Sequence, residues 1–294
     1  QAVLAREPDH ANALLHAGRS CRSLKRYDDA ARWLGRLHEL APERVDVLVE
    51  LGNALRLKGD TNAGVALLQR ALALRPDDTE LMYTLLGACF NMGDWELALQ
   101  FGRRIMEVNP SPAANSVLLF VLSHCCMDAG ELTREHFAYG ERWETPLRAL
   151  RQPHANERDP NRRLRIGMVS GDLYNHAVTN FVGPVFEALK DSPGVALYAY
   201  YNNRIEDKMT AQLRTCTAGW HTIAGLDDDA AERLIREDGI DILIDLSGHS
   251  ALNRLALFAR RPAPLQASWV GYAGTTGLEA MDYILCDQFM VPEG

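Results

Sequence analysis

The sequence has no apolar run approaching the roughly 20 residues that cross a bilayer, and its first residues lack the basic start, apolar centre and small-residue cleavage site of a secretory signal. A cytoplasmic location is expected, with no membrane partner. Basic excess is missing as well: 31 Lys and Arg against 39 Asp and Glu leave a net charge of -8. Binding to phosphate backbones needs a concentrated basic face, so no nucleic-acid partner is expected. Arg162, Arg163 and Arg165 form the densest basic group, and a solvated linker accounts for them. Cysteine is sparse. The six, at 21, 89, 125, 126, 216 and 286, show neither CxxC spacing nor a disulfide framework, and read as reduced thiols packed in cores. Adjacent Cys125 and Cys126 would point to different sides of a helix, which argues against a shared metal. What is abundant, 47% hydrophobic residues in a chain of 294, suffices to bury the cores of about two domains of roughly 100–200 residues.

The first half is organised by a period. Pro8, Pro42, Pro76 and Pro110 are each separated by 34 residues, the tetratricopeptide spacing. Repeats are read at 11–44, 45–78 and 79–112, with 1–10 as the tail of an earlier one, and each holds two helices. In the first, Gly18 and Ala30 let the helices approach, Tyr27 opens the second helix and Pro42 blocks its continuation. Gly52 and Gly87 fall in the first helices of the later copies and Gly59 and Gly93 at their turns, with Gly87 one position late and Gly64 in place of the usual alanine. A single helical pair cannot hide its apolar face, so neighbours are expected to stack into a superhelix whose concave groove takes extended protein or peptide segments. Segment 113–149 continues as two helices around Asp128-Ala129-Gly130. It is read as a modified last repeat that caps the array and docks the next domain, which places the solenoid at 1–149. His124 and His136, on these helices, are read as structural.

From 150 to 163 two prolines and many charges mark a linker. Beyond it the rhythm changes to short buried strands, expected at 164–170, 195–202, 240–248 and 265–272, with helical patterns between them. The clearest helix is "DDDAAERLIREDG", capped by Asp227 and ended by Gly239. Its three aspartates satisfy a DxD pattern, but acidic residues in a first helical turn are ordinary dipole partners, and no metal is expected there. Alternating strands and helices imply a Rossmann-like parallel α/β lobe over 164–294, whose ligands belong at the carboxyl ends of the strands. Three polar loops meet that rule. One follows the first strand and holds Ser170, Gly171, Asp172, Asn175 and His176. Another is "DLSGHSALNR", with Asp245 and His249. The third is "VGYAGTTG", where Gly271, Gly274 and Gly277 can present backbone N–H groups beside Thr275 and Thr276. It is neither GxGxxG nor GxxxxGK[ST], so nucleotide binding does not follow from it.

"PHANERDPNRRLRIGMVSGDLYNHAV", "IDILIDLSGHSALNRLALFARRPAPLQASWVGYAGTTG" and "MDYILCD" resemble the amino-terminal half of the catalytic region of the O-GlcNAc transferase and SPINDLY family. The resemblance implies tetratricopeptide repeats preceding the first lobe of a two-lobed GT-B fold. The activity implied is inverting, metal-free transfer of a sugar from a nucleotide donor, with UDP-GlcNAc favoured, to protein serine or threonine hydroxyls. No cofactor is implied beyond that donor substrate. His176 matches the family's active-site histidine, which faces donor sugar and acceptor hydroxyl, and Asn175 matches its neighbour. His249, Gly274, Thr275 and Thr276 match loops that line the cleft. Ala177 and Val178 stand where the family has proline and threonine, and Ala273 replaces the proline of "GYPGT". A hydroxyl is a very weak acid and must lose its proton as the C–O bond forms, a task for a neutral histidine of ordinary pKa about 6.5.

In the family the diphosphate is held chiefly by the second lobe, including a lysine. The chain therefore reads as an internal piece of a longer transferase, and the 294 residues alone are expected to lack turnover. Two other functions are compatible with the residues: fucose transfer from GDP-fucose, as in SPINDLY proteins, and a protein-binding scaffold without catalysis. The asparagines that line the repeat groove of the animal enzyme are replaced by His16, Glu50 and Leu85, so a shared acceptor mode is not expected.

Overall fold

The computed structural model describes residues 2–125 and 128–289; Cys126 lies outside the described residues. The chain forms two compact units, Gln1–Pro110 and Ser111–Gly294. The helical pair expected to cap the repeats thus groups with the α/β lobe, and the division falls at Pro110 where the sequence placed it near residue 149.

The first unit holds α1 (Ala2–Arg6) and three helical pairs: α2 (Ala11–Ser23) with α3 (Tyr27–Leu40), α4 (Val45–Lys58) with α5 (Thr61–Leu74), and α6 (Thr79–Met92) with α7 (Trp95–Val108). Both helices of each pair begin 34 residues after their counterparts, at the registers the prolines set. The residue before each proline explains the common stop. Ala41, Arg75 and Asn109 all leave the helical region, with ψ of 72°, 74° and 74°, because the proline ring clashes with a helical predecessor. Gly18 serves the close approach expected of it, since a Cβ there would lie 2.4 Å from Leu34 Cγ; Gly87 does not, having nothing within 4 Å. One residue earlier, at the true register of Gly52, stands the buried Leu86.

The second unit opens with α8 (Pro112–Leu122), α9 (Ala129–Trp143) and a 3-10 turn over Thr145–Leu150. Then follow β1 (Leu164–Ser170), α10 (Ala177–Leu189), β2 (Val195–Tyr201), α11 (Lys208–Arg214), β3 (Gly219–Thr222), α12 (Asp228–Glu237), β4 (Ile242–Asp245), α13 (Leu255–Ala259), β5 (Leu265–Trp269) and β6 (Tyr283–Leu285). The six strands are all parallel, in the order β3-β2-β1-β4-β5-β6. Winding reverses between β1 and β4, and the carboxyl ends of those two strands flank the switch point where such sheets bind ligands. Val178, Val182 and Phe186, one helical face of α10, are buried with Met168 of β1, Leu197 and Tyr201 of β2 and Ile244 of β4. Each contributes on the order of 2 kcal/mol by burial, and together they fix the amino end of α10 over the end of β1.

Segment 151–163 is not the solvated linker that its composition predicts. Asn156 Nδ2 donates to the Gly239 and Ile240 carbonyls and to Asp241, and Arg162 pairs with the largely buried Asp241 carboxylate. Arg163 donates to the Val195 carbonyl and Arg165 to that of Asp238. Burial pushes the Asp241 carboxyl up, but Arg162, the Arg165 N–H and Asn156 outweigh it and hold the group below its ordinary range. The arginines fasten the segment to the amino edge of the sheet.

Candidate functional site

His176 caps α10. Its φ and ψ of -142° and 159° are extended, and Nδ1 accepts the Val178 N–H at 3.3 Å. The Thr179 hydroxyl closes the cap by accepting the His176 N–H at 3.4 Å. The ring stays 39% exposed, 5.6 Å from the Tyr174 ring, with Asp172 Oδ2 4.0 Å from Nδ1. Asn175 is exposed; its N–H donates to Asp207 at 2.8 Å, which ties the loop to the N-cap of α11. The end of β1 therefore presents an imidazole at a helix N-terminus, where the aligned peptide dipoles favour negative charge.

The loop after β4 begins with Asp245, fully buried, whose carboxylate accepts from the Ser247 N–H at 3.0 Å, the Gly248 N–H at 2.8 Å and the Ser268 hydroxyl at 3.3 Å. These bonds turn the chain, which is why β4 stops at Asp245 short of the expected Gly248. Burial raises the Asp245 carboxyl to about 6 against those hydrogen bonds.

His249 does not face open space. The ring is 1% exposed. Nε2 donates to the Thr276 carbonyl at 3.1 Å, so Nδ1 carries the lone pair and accepts from Ser116 Oγ of α8 at 3.0 Å. Tyr139 and His136 of α9 and Tyr272 surround it edge-on, with ring centroids 4.7, 5.1 and 5.4 Å away. Burial, then the neighbouring His136, lowers its pKa to about 3, and the ring is neutral at physiological pH. Both nitrogens being occupied within the protein, His249 joins α8 and α9 to the loop after β5 and is not available to line a cleft as the sequence led us to expect.

The three loops are packed on one another. A Cβ on Gly171 would lie 2.5 Å from Leu252 Cβ, and one on Gly271 would lie 1.9 Å from the Leu246 carbonyl oxygen. Val270 turns β5 into the last loop at φ 63°, an uncommon conformation for a β-branched residue. Thr275 is exposed and its Oγ1 accepts the Gly277 N–H at 3.1 Å, whereas Thr276 is buried and gives its carbonyl to His249. Gly274, Thr275 and Thr276 line a cavity of about 240 Å³ with Ser268, Leu278 and Met281; His176 is not among its lining residues. The structure thus separates the expected residues into three sets: His176 and Asn175 at the end of β1, the GTTG segment by its cavity, and His249 buried beneath.

Contacts with α8 and α9 were not legible in the sequence. Ser116, His136, Tyr139 and Glu144 each meet a loop more than a hundred residues away, and no spacing rule links them. The Glu144 carboxylate accepts the N–H groups of Glu279 and Ala280, both at 2.7 Å, and pairs with Arg151. His136 Nε2 meets the Tyr272 hydroxyl at 2.8 Å, in agreement with its structural reading. Among the described residues no group of three or more His, Cys, Asp and Glu side chains could hold a metal ion, and no helix is long and apolar enough to cross a membrane.

A doubly wound lobe with polar loops at its switch point, joined in sequence to helical repeats, defines a class, and comparison with known proteins identifies the class as glycosyltransferase. The model of glycosyl transferase family 41 matches residues 145–293, and two tetratricopeptide repeat models match 1–44 and 55–119. The chain belongs to glycosyl transferase family 41. It is similar to the Petunia hybrida protein named "Probable UDP-N-acetylglucosamine--peptide N-acetylglucosaminyltransferase SPINDLY", 38% identical over 144 residues, which are 47% of this chain and 15% of the relative. Similarity to the Arabidopsis thaliana protein of the same type named SEC is 33% over 132 residues, 45% of this chain and 13% of the relative. Among solved structures, an O-GlcNAc transferase mutant of Thermobaculum terrenum superposes with a TM-score of 0.78 at 33% identity, over 96% of this chain and 54% of that one. The chain spans about a seventh of the length of these curated relatives and about half of that structure.

Proposed function

We propose that the protein transfers N-acetylglucosamine from UDP-N-acetylglucosamine to serine and threonine hydroxyls of protein acceptors, with inversion and without a metal. The observation that carries the reading is the half-exposed His176 imidazole at the switch point, inside the segment that matches family 41. The names of the relatives and of the solved structure support the donor and the reaction. His176 is placed in this reading against the acceptor hydroxyl. Asn175, Gly274, Thr275 and Thr276 border the donor, while the buried His249 acts by holding the GTTG segment. The helical repeats supply the surface that selects the acceptor protein. The test is incubation of the full-length protein, containing this chain, with a protein acceptor and either UDP-N-acetylglucosamine or GDP-fucose. Mass spectrometry should record a HexNAc addition on serine or threonine, at least 100-fold slower in the His176→Ala variant, a loss within the range general base catalysis supplies. Addition of a deoxyhexose from GDP-fucose, or no addition from either donor, would refute it.

A further inference from the structure

The nitrogen of His176 that faces the protein has two partners with opposite demands. The Val178 N–H needs a lone pair on Nδ1, and a neutral ring that supplies it carries its proton on Nε2. Such a ring donates outward and cannot take a proton there. Asp172 Oδ2, 4.0 Å from the same Nδ1, needs the proton on Nδ1 instead. At 3.3 Å the bond from Val178 is longer than the usual 2.9–3.0 Å, whereas an imidazole N–H to a carboxylate is charge-assisted and roughly twice as strong as a neutral bond.

Asp172 has little else to satisfy it. Its side chain is 14% exposed and its backbone N–H is spent on Ser170 Oγ at 2.9 Å; no donor from a described residue bonds its carboxylate. Burial of a carboxylate without a hydrogen bond is costly, and an Nδ1–H on the neighbouring His176 ring is a donor that can offset it. Burial pushes the Asp172 carboxyl upward and the charge of His176 pulls it down. The other groups facing the pair are fixed. Asp207 is held below its ordinary range by the N–H groups of Thr210 and Asn175, and the Tyr201 phenol is raised to about 12 by burial. Tyr174 contributes its ring face. Among the described residues, Asp172 is thus the carboxylate placed to choose between the two forms of His176.

We propose that Asp172 is the positioning residue of His176: its carboxylate draws the ring proton to Nδ1 and leaves Nε2 with the lone pair that receives the proton of the acceptor hydroxyl. The inference rests on the transfer reaction proposed above. In that reaction the acceptor oxygen bonds to the anomeric carbon as its proton passes to Nε2. The anomeric C–O bond to the diphosphate breaks, and the nucleoside diphosphate leaves with the electron pair. The imidazolium so formed keeps its Nδ1–H against Asp172 and returns the Nε2 proton to water.

Two measurements test it. In the 294-residue chain labelled with ¹⁵N-histidine, long-range ¹⁵N–¹H correlations of His176 should show an Nδ1–H population for the neutral ring. Asp172→Asn, which removes the carboxylate 4.0 Å from Nδ1, should convert the neutral ring to the Nε2–H form. A wild-type ring protonated only on Nε2, or a tautomer population unchanged by the substitution, overturns the inference. The wild-type spectrum decides even if the variant misfolds. In the full-length protein Asp172→Asn should lower kcat about 10- to 100-fold with KM little changed; a change in KM alone counts against it. If the full-length wild type transfers no sugar, the proposed function fails, and the spectra alone then decide whether Asp172 sets the ring.

Discussion

Gly277 lies against the backbone of His136: a Cβ at residue 277 would stand 1.8 Å from the His136 carbonyl oxygen, and one at Gly140, a helical turn further along α9, would stand 2.0 Å from the Gly277 carbonyl oxygen. Helix and loop meet backbone to backbone, and the last glycine of GTTG is required by α9, with φ of 73° besides. Gly277→Ala must therefore move main chain, not a side chain. The cost should exceed about 3 kcal/mol, in the range of severe single substitutions. Gly274→Ala, whose Cβ would meet side chains alone, the Tyr272 ring at 2.9 Å and His136 Nε2 at 3.6 Å, should cost clearly less. Urea denaturation of both variants compares them; equal midpoints would show that the loop does not need the contact.

The buried His249 gives the second unit a sensitivity to acid. Its pKa of about 3 lies below the ordinary histidine value of about 6.5, so the unfolded chain binds the extra proton first. Stability from this group is full above about 6.5 and is lost as pH falls toward 3. His136, also lowered by burial, acts in the same direction. Asp245 has the opposite sign: with its carboxyl raised to about 6, its contribution is full below the ordinary carboxyl range and lost as pH rises through 6. His249→Gln removes the titrating ring. Its unfolding free energy should depend on pH between 3 and 6.5 with a slope smaller by about one proton than the wild type, although the variant is weaker at pH 7 for want of the bonds to Ser116 and Thr276. An unchanged slope would mean that His249 is protonated in the folded state.

How far the sequence reached differs between the units for a physical reason. The repeats repeat, so one rule about proline and its predecessor places Ala41, Arg75 and Asn109 alike. In the lobe, β1 and β2 were legible because their runs are apolar and long, while β3, "GWHT", and β6, "YIL", are too short and too mixed to show a period. His176 was found from its place after a strand and its resemblance, whereas its role as the partly exposed cap of α10 came only with the structure. The burial of His249 was hidden because the residues that enclose it, Ser116, His136 and Tyr139, lie far away in sequence and look like the interior of another helical repeat. Likewise, charges in 150–163 suggest solvent until Asp241, nearly eighty residues on, is seen to pair with Arg162.

The first repeat carries a strain that its successors avoid. Gly59 and Gly93 end α4 and α6 in the left-handed region, at φ of 114° and 75°. The same place after α2, 34 residues before Gly59, is Lys25, at φ of 58°. A side chain there costs about 1–2 kcal/mol that glycine does not incur, less the extra freedom glycine brings to the unfolded chain. Lys25→Gly should therefore raise the unfolding free energy of the first unit by about 0.5–1 kcal/mol, and Gly59→Ala should lower it by a similar amount. Native-state hydrogen exchange of the amides of α2 and α3, compared with those of α4 and α5, reads each change where it occurs. Because both substitutions alter the same backbone position of the repeat and remove no tertiary contact of note, their opposite signs isolate the conformational cause. A loss of protection in Lys25→Gly would place the origin in the lysine side chain instead.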